Sequence, residues 1–303
     1  MANCLVLGAD GFLGSHLCTQ LLKDHSVAGL DKFRHGRLSK HLPIEKFEGD
    51  FLNQNFLKKA LEGKDYVFNF VSSSSPAESL TNPIGDILKL QSSVAFLKLC
   101  VDAGVKKVIY PSTGGAIYGR TSNKPFKETD SVIPISPYAI NKLAFEGYLR
   151  YFKNTHDLDF VIYRISNPYG PLQNIKGSQG IIPIYLNNLK NNLPLTVFGD
   201  GSMTRDYIYV TDTVKMIADT FLNTKHDVYN LGSGISYTVN DIIFEISRVV
   251  KLPIQLEYKP DRPTDIKKVM LDMSRFKEEF GTAATTTLHQ GIFHTWDYVS
   301  GLA

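Results

Sequence analysis

Apolar residues in this chain fall into short, nearly unbroken runs, separated by longer stretches in which they recur every three or four positions. Cys4–Leu7, Val27–Leu30, Tyr66–Val71, Val108–Tyr110 and Phe160–Ile165 are runs of the first kind. Runs without alternation predict strands buried on both faces. Leu13, Leu17 and Leu21 share one face after the first run and predict a helix. Asn53 predicts the cap of a second helix carrying Phe56, Leu57, Ala60 and Leu61. Long helices are predicted at about 86–103, stopped by Gly104, and at 138–155. A further strand is predicted to end at Asp50, after Phe47-Glu48-Gly49. Strands that alternate with helices in this way predict an α/β fold with a doubly wound parallel sheet.

Beyond about residue 166 the pattern loosens. Prolines interrupt it at 168, 171, 183, 194, 253, 260 and 263. This half predicts a smaller lobe, with late strands at Tyr207–Val210 and Val228–Leu231 returning to the main sheet. The expected division is a Rossmann domain over 1–166 plus about 206–232, and a C-terminal ligand-binding lobe over about 167–205 and 233–303.

Composition narrows the partners. With 303 residues, 43% of them hydrophobic, the chain can build a sizeable core, and a net charge of +3 gives no reason to expect nucleic acid or an anionic membrane. Cys4, Cys18 and Cys100 are odd in number and widely spaced, which predicts neither disulfides nor a thiolate metal site. The eight histidines form no i, i+4 pair, so no metal is expected. The early apolar run ends at Gly8 and is too short for a signal peptide, which makes the cytoplasm the expected compartment.

The first strand runs into Gly8-Ala9-Asp10-Gly11-Phe12-Leu13-Gly14, and a helix follows. Glycines at this spacing let a backbone turn tightly and approach a pyrophosphate, while the helix N-terminus offers free N–H groups. Asp31 closes the second strand, where a carboxylate can accept both ribose hydroxyls of an adenosine. It would repel a 2′-phosphate, which favours NAD over NADP, although Lys32, Arg34 and Arg37 nearby could soften that preference. Asp50, followed by Phe51, could meet the adenine amino group.

Tyr138 and Lys142 lie four residues apart at the start of a predicted helix and share one face. An ammonium beside a phenol favours the phenolate, which predicts a lowered tyrosine pKa and a general base. Ser112 and Thr113 follow the strand Val108–Tyr110, at the edge where doubly wound sheets bind ligands. A hydroxyl there can bond the reacting oxygen.

Taken together, these residues resemble the extended short-chain dehydrogenase/reductase family, within it the NAD-dependent nucleotide-sugar epimerase/dehydratase group of the UDP-glucose 4-epimerase type. Downstream runs extend the resemblance over nearly the whole chain. They are Arg164 with Asn167-Pro168-Tyr169-Gly170-Pro171, Phe198-Gly199-Asp200-Gly201, Arg205-Asp206-Tyr207, Asn230-Leu231-Gly232 and Arg262-Pro263-Thr264-Asp265. The resemblance implies bound NAD, contacted by Gly8, Gly11, Phe12, Leu13, Gly14, Asp31, Lys32, Asp50, Phe51, Tyr138 and Lys142. It implies a catalytic group of Thr113, with Ser112 beside it, Tyr138 and Lys142. Asn167, Arg205, Arg262 and Asp265 match positions that grip the nucleotide diphosphate of the substrate. A homodimer through helices at about 86–103 and 137–155 is implied as well.

The sequence departs from the family in places. Phe70-Val71 leads into Ser72–Ser75, a more polar pocket wall than usual. Gly114-Gly115 stands where 4,6-dehydratases carry an acidic pair, and no cysteine lies where a fucose-synthase type needs one. The expected activity is 4-epimerisation of UDP-glucose/UDP-galactose or their N-acetyl forms, through a transient 4-keto sugar. A NAD(P)H-dependent reductase of a dTDP- or GDP-4-keto-6-deoxy sugar is the alternative, and a non-catalytic dinucleotide-binding protein a further one.

Overall fold

In the computed structural model, the described residues are 1–303 except 40, 72–75, 178, 262–265 and 303; the side chains of residues 76, 77 and 89 also lie outside the description. The chain runs through β1 (Asn3–Leu7), α1 (Phe12–Leu21), β2 (Ser26–Asp31), β3 (Glu45–Glu48), α2 (Gln54–Leu61), β4 (Tyr66–Asn69), α3 (Pro76–Thr81), α4 (Pro83–Asp102), β5 (Lys107–Thr113), α5 (Pro137–His156) and β6 (Asp159–Ile165). It continues through β7 (Asn167–Tyr169), α6 (Ile181–Lys190), β8 (Leu195–Phe198), β9 (Thr204–Tyr209), α7 (Val210–Thr220), β10 (Val228–Leu231), β11 (Ser236–Thr238), α8 (Val239–Val250), β12 (Leu256–Lys259), α9 (Ser274–Phe280) and α10 (Leu288–Gly301).

The apolar runs form a seven-stranded sheet in the order β10-β6-β5-β4-β1-β2-β3. The pairings β2–β3, β1–β2, β1–β4 and β4–β5 are parallel. Order and helix crossovers make this the doubly wound α/β arrangement expected from the sequence. Leu5, Leu7, Val67, Val108 and Ile162 are buried in one core with Phe96, Phe145 and Phe160. Each such side chain contributes about 1.5–3 kcal/mol on burial. Phe221 closes one end, its ring edge-on to His25, Tyr66 and Phe68 at 5.3, 5.2 and 5.0 Å.

The chain folds as two compact units. The first comprises 1–113, 136–164 and 214–229; the second comprises 114–135, 165–213 and 230–303. The second holds a three-stranded sheet, β11-β9-β7, and a two-stranded one, β12-β8. Helices α8 and α10 there open with capping boxes, Thr238 with Asp241 and Thr287 with Gln290.

Four details differ from the sequence reading. The strand at 207–210 does not return to the main sheet: β9 pairs with β7 in parallel and with β11 in antiparallel, and Val210 already opens α7. A short apolar run marks a strand but not the sheet it joins. β5 does not stop at Tyr110 but extends to Thr113 through Pro111, because the whole stretch is buried and one missing N–H removes only a single ladder bond. α4 starts at Pro83, since the Asn82 side chain accepts from Gly85 N and proline suits a first helical turn. β3 ends at Glu48, two residues before Asp50.

Candidate active site

The loop after β1 can be built only from glycines. Gly8 sits at φ 81°, and a Cβ on it would lie 2.8 Å from the Phe70 carbonyl oxygen. A Cβ on Gly14 would lie 2.0 Å from the Gly8 carbonyl oxygen, and one on Gly11 2.9 Å from the same atom. Gly11 is the N-cap of α1 and offers no side-chain cap, so the first-turn amides at Phe12 and Leu13 are not taken by one. Uncapped amides at the positive end of a helix suit an anion.

Asp10 fastens the neighbouring loop by accepting from the amides of His35 (2.7 Å), Gly36 (3.0 Å) and Leu38 (2.9 Å). Burial pushes its carboxyl up, but these amides outweigh it and hold the pKa below the usual carboxylate value. Asp31, at the end of β2, accepts from Asp10 N at 2.9 Å and Lys32 N at 2.6 Å. Lys32 Nζ pairs with Asp50 Oδ2 at 2.7 Å. The Leu52 amide, then Lys32, hold the Asp50 carboxyl below its ordinary value. The Phe51 ring is buried, 5.7 Å from that of Phe96. The loop, the uncapped amides and a carboxylate at the end of β2 fit a dinucleotide.

The second constellation lies where β5 meets α5. The Ser136 side chain accepts from Ala139 N, and Pro137 occupies the first turn. Tyr138, Lys142, Glu146 and Arg150 then follow at four-residue steps along one helix face. Three consecutive residues at the end of β5 bond to this column. The Lys142 ammonium donates to Pro111 O at 2.9 Å. Ser112 Oγ donates to Glu146 Oε1 at 2.6 Å. Thr113 hydrogen-bonds the Tyr138 phenol. The two hydroxyls expected side by side therefore separate, Thr113 to Tyr138 and Ser112 to Glu146.

The expected lowering of the Tyr138 pKa is corrected. Burial pushes the phenol up to about 12; the Thr113 hydrogen bond opposes this, and the Asp86 carboxylate adds to it. Lys142 Nζ lies 5.8 Å from the Tyr138 ring centroid and 4.7 Å from that of Tyr110, with one hydrogen bond committed to Pro111. Burial pushes the Lys142 ammonium down to about 8, and Glu146 works against that fall.

Two features here were not singled out from the sequence as part of the site. Glu146 is fully buried and receives Arg164 Nε at 3.2 Å and Arg164 Nη2 at 2.8 Å. Its signal was available, since it continues the Tyr138/Lys142 spacing by one more turn. Asp86 is buried, with neither carboxylate oxygen hydrogen-bonded. It reads in sequence as an ordinary first-turn acid, and nothing there foretells burial.

In the second unit, Asn167 Nδ2 donates to the Asp206 carbonyl at 2.9 Å. Arg205 Nη1 donates to Thr204 O at 2.8 Å, and its charge opposes the burial that pushes the Tyr207 phenol up to about 12. The Asp206 carboxylate accepts from Ser166 Oγ, Ser233 N and Gly234 N at 3.3, 2.9 and 3.0 Å. Arg262, Asp265 and the wall segment Ser72–Ser75 lie outside the described residues. Among the described residues, no helix is long and apolar enough to cross a membrane.

Known proteins match this chain along its length. A model of the NAD-dependent epimerase/dehydratase family matches residues 4–232. The chain is 32% identical to a UDP-glucose 4-epimerase of Mycolicibacterium smegmatis, with 97% of each chain covered. It is 30% identical to a dTDP-4-dehydro-6-deoxyglucose reductase of Escherichia coli, over 95% of this chain and 94% of that one. The crystal structure of UDP-glucose 4-epimerase with UDP-glucose from Thermotoga maritima superposes with a TM-score of 0.92 at 31% identity, covering 98% of both chains. With the glycine loop and the Tyr138/Lys142 face on the same sheet, these matches give one result: the chain belongs to the NAD-dependent epimerase/dehydratase family.

Proposed function

We propose that this protein is an NAD-dependent nucleotide-sugar 4-epimerase acting on UDP-glucose/UDP-galactose or their N-acetyl forms. The observation that carries the reading is the α5 face, where Thr113 bonds the Tyr138 phenol and Lys142 stands one turn further on. NAD, when bound, accepts a hydride from the sugar and returns it. Gly8, Gly11 and Gly14, with the amides of Phe12 and Leu13, hold its pyrophosphate. Asp31 accepts the ribose hydroxyls, with Lys32, Asp50 and the Phe51 backbone around the adenine.

Tyr138 takes the proton of the C4 hydroxyl as the sugar becomes its 4-keto form, and returns a proton to O4 once the turned sugar presents the other face of C4 for reduction. Burial holds Tyr138 near 12, so Lys142 must stabilise the phenolate for it to serve as a base near neutrality. Thr113 orients the reacting hydroxyl. Asn167, Arg205, Arg262 and Asp265 hold the nucleotide diphosphate, a task suited to guanidinium forks.

Gly114-Gly115 after Thr113, in place of an acidic pair, supports epimerisation over dehydration. The likeness to the Escherichia coli reductase favours a second reading, one-way reduction of a dTDP- or GDP-4-keto-6-deoxy sugar. One experiment separates them. Purified protein is given UDP-glucose and UDP-N-acetylglucosamine without added coenzyme, and the dinucleotide released on denaturation is identified. Retained NAD with conversion to the galacto forms is the expected result. A protein that converts nothing until NAD(P)H and a 4-keto-6-deoxy sugar nucleotide are supplied is a reductase instead.

The protein works as a homodimer in this reading. Ile84, Ile87 and Leu88 on α4 and Ile140 and Tyr151 on α5 are each more than half exposed, which supports pairing through those two helices. Light scattering should give twice the 33.9 kDa chain mass; the chain mass alone would refute the dimer. Three buried free cysteines support a reducing compartment, and the cytoplasm is the place assigned.

A further inference from the structure

A buried carboxylate one helical turn beyond Lys142 is not needed to bind any ligand named above. Glu146 is 0% exposed, and both of its carboxylate oxygens have partners. Arg164 from β6 reaches it with two bonds, at 3.2 and 2.8 Å, and Ser112 from β5 with one at 2.6 Å. Arg150, one turn further along α5, approaches at 3.5 Å. Three elements thus converge on one carboxylate immediately behind the Tyr138/Lys142 pair.

The groups around Lys142 make that position consequential. Its ammonium faces Tyr110 and the Pro111 carbonyl on β5, and Tyr138 and Glu146 on its own helix. Asp86 on α4 acts on Tyr138. Tyr110 and Tyr138 are neutral phenols at neutral pH, both held protonated by burial. Glu146 is therefore the anion on the helix face that carries Lys142.

We propose that Glu146, locked by Arg164 and Ser112 one helical turn beyond Lys142, is a positioning residue whose carboxylate holds the Lys142 ammonium in place for Tyr138. The inference rests on the epimerase reading only for its consequence in turnover; the charge relation belongs to the protein itself. It also gives Ser112 a task other than a second catalytic hydroxyl. Ser112 fixes the carboxylate, while Thr113 meets the phenol.

The test is a titration of Lys142 in the full-length chain labelled with 13Cε-lysine, followed by NMR and assigned with Lys142→Arg. Glu146→Gln removes the charge and keeps the shape. Its Lys142 midpoint should fall by about one pH unit, as expected for loss of a nearby opposite charge. Glu146→Asp keeps the charge and should stay within about half a unit. Turnover of Glu146→Gln near pH 8 should fall about fivefold, in step with the lost protonated fraction, with little change in KM. An unchanged midpoint in a folded Glu146→Gln overturns the proposal. If that variant does not fold, the double variant Glu146→Gln/Arg164→Gln, which leaves neither buried charge unpaired, decides: a Lys142 midpoint lower than wild type by about half a unit or more upholds the proposal, and a smaller change overturns it. Absence of turnover with every sugar nucleotide would count against the epimerase reading and leave the titration to judge Glu146.

Discussion

Thr113 hydrogen-bonds the phenol of Tyr138, while its neighbour Ser112 is bonded to Glu146 at 2.6 Å. Two adjacent hydroxyls thus serve two different partners. Replacing Thr113 by Val should lower kcat at least about tenfold, and Thr113→Ser should retain most of it. Tyr138→Phe should lower kcat by about 10²–10⁴-fold, the usual worth of a positioned acid–base group, with the fold intact by circular dichroism. Steady-state kinetics on UDP-glucose check both, and a Tyr138→Phe chain with full activity would exclude the proton-transfer role.

The glycine loop has no room for a methyl group. A Cβ on Gly14 would lie 2.0 Å from a backbone oxygen, which no side-chain rotation relieves. Gly14→Ala should destabilise the chain by about 1–3 kcal/mol. A melting point lower by several degrees and loss of co-purifying dinucleotide are expected, read by thermal denaturation and by absorbance of the released cofactor.

Asp31 stands at the end of β2 with its carboxylate held by two amides. Asp31→Ala should weaken NAD binding about tenfold, the loss of a charge-assisted hydrogen bond. It should also narrow the difference between NAD and NADP, because the group that repels a 2′-phosphate is gone. Calorimetric titration of the stripped protein with each dinucleotide measures this.

Burial raises several phenols together. Tyr138 and Tyr207 are pushed up to about 12, and Tyr110, Tyr169 and Tyr185 are raised as well. A phenol whose pKa is higher folded than unfolded binds its proton more tightly in the folded chain. Its stabilising share is complete below pH 10 and lost as the pH rises toward 12. The part of the tyrosinate absorbance that belongs to these buried rings should therefore appear only above pH 10, in a cooperative step that coincides with loss of the circular dichroism signal. Complete tyrosine ionisation in a chain that stays folded would contradict this.

The parts legible in sequence were those with a local cause. The glycine loop, the Asn53 cap and the four-residue spacing of Tyr138 and Lys142 each follow from backbone geometry within a few residues. What was not legible depends on distant neighbours. The sheet that β9 joins is decided by β7 and β11, and an apolar run carries no record of its partners. The parting of Ser112 from Thr113 is decided by where Glu146 and Tyr138 sit on α5. The same burial that makes Tyr138 part of a site raises its pKa, so a rule based on Lys142 alone gave the wrong direction.

Asp206 ties two stretches of chain to itself: its carbonyl receives Asn167, and its carboxylate receives Ser166, Ser233 and Gly234. A Cβ on Gly232 would lie 2.5 Å from that carboxylate, so the second stretch is fitted closely around it. For anyone redesigning the substrate preference, this divides the neighbourhood in two. Positions that face the ligand can be varied, whereas Asp206 and Gly232 are fixed points. A randomised pool that includes them will be filtered by folding before it is filtered by choice of sugar.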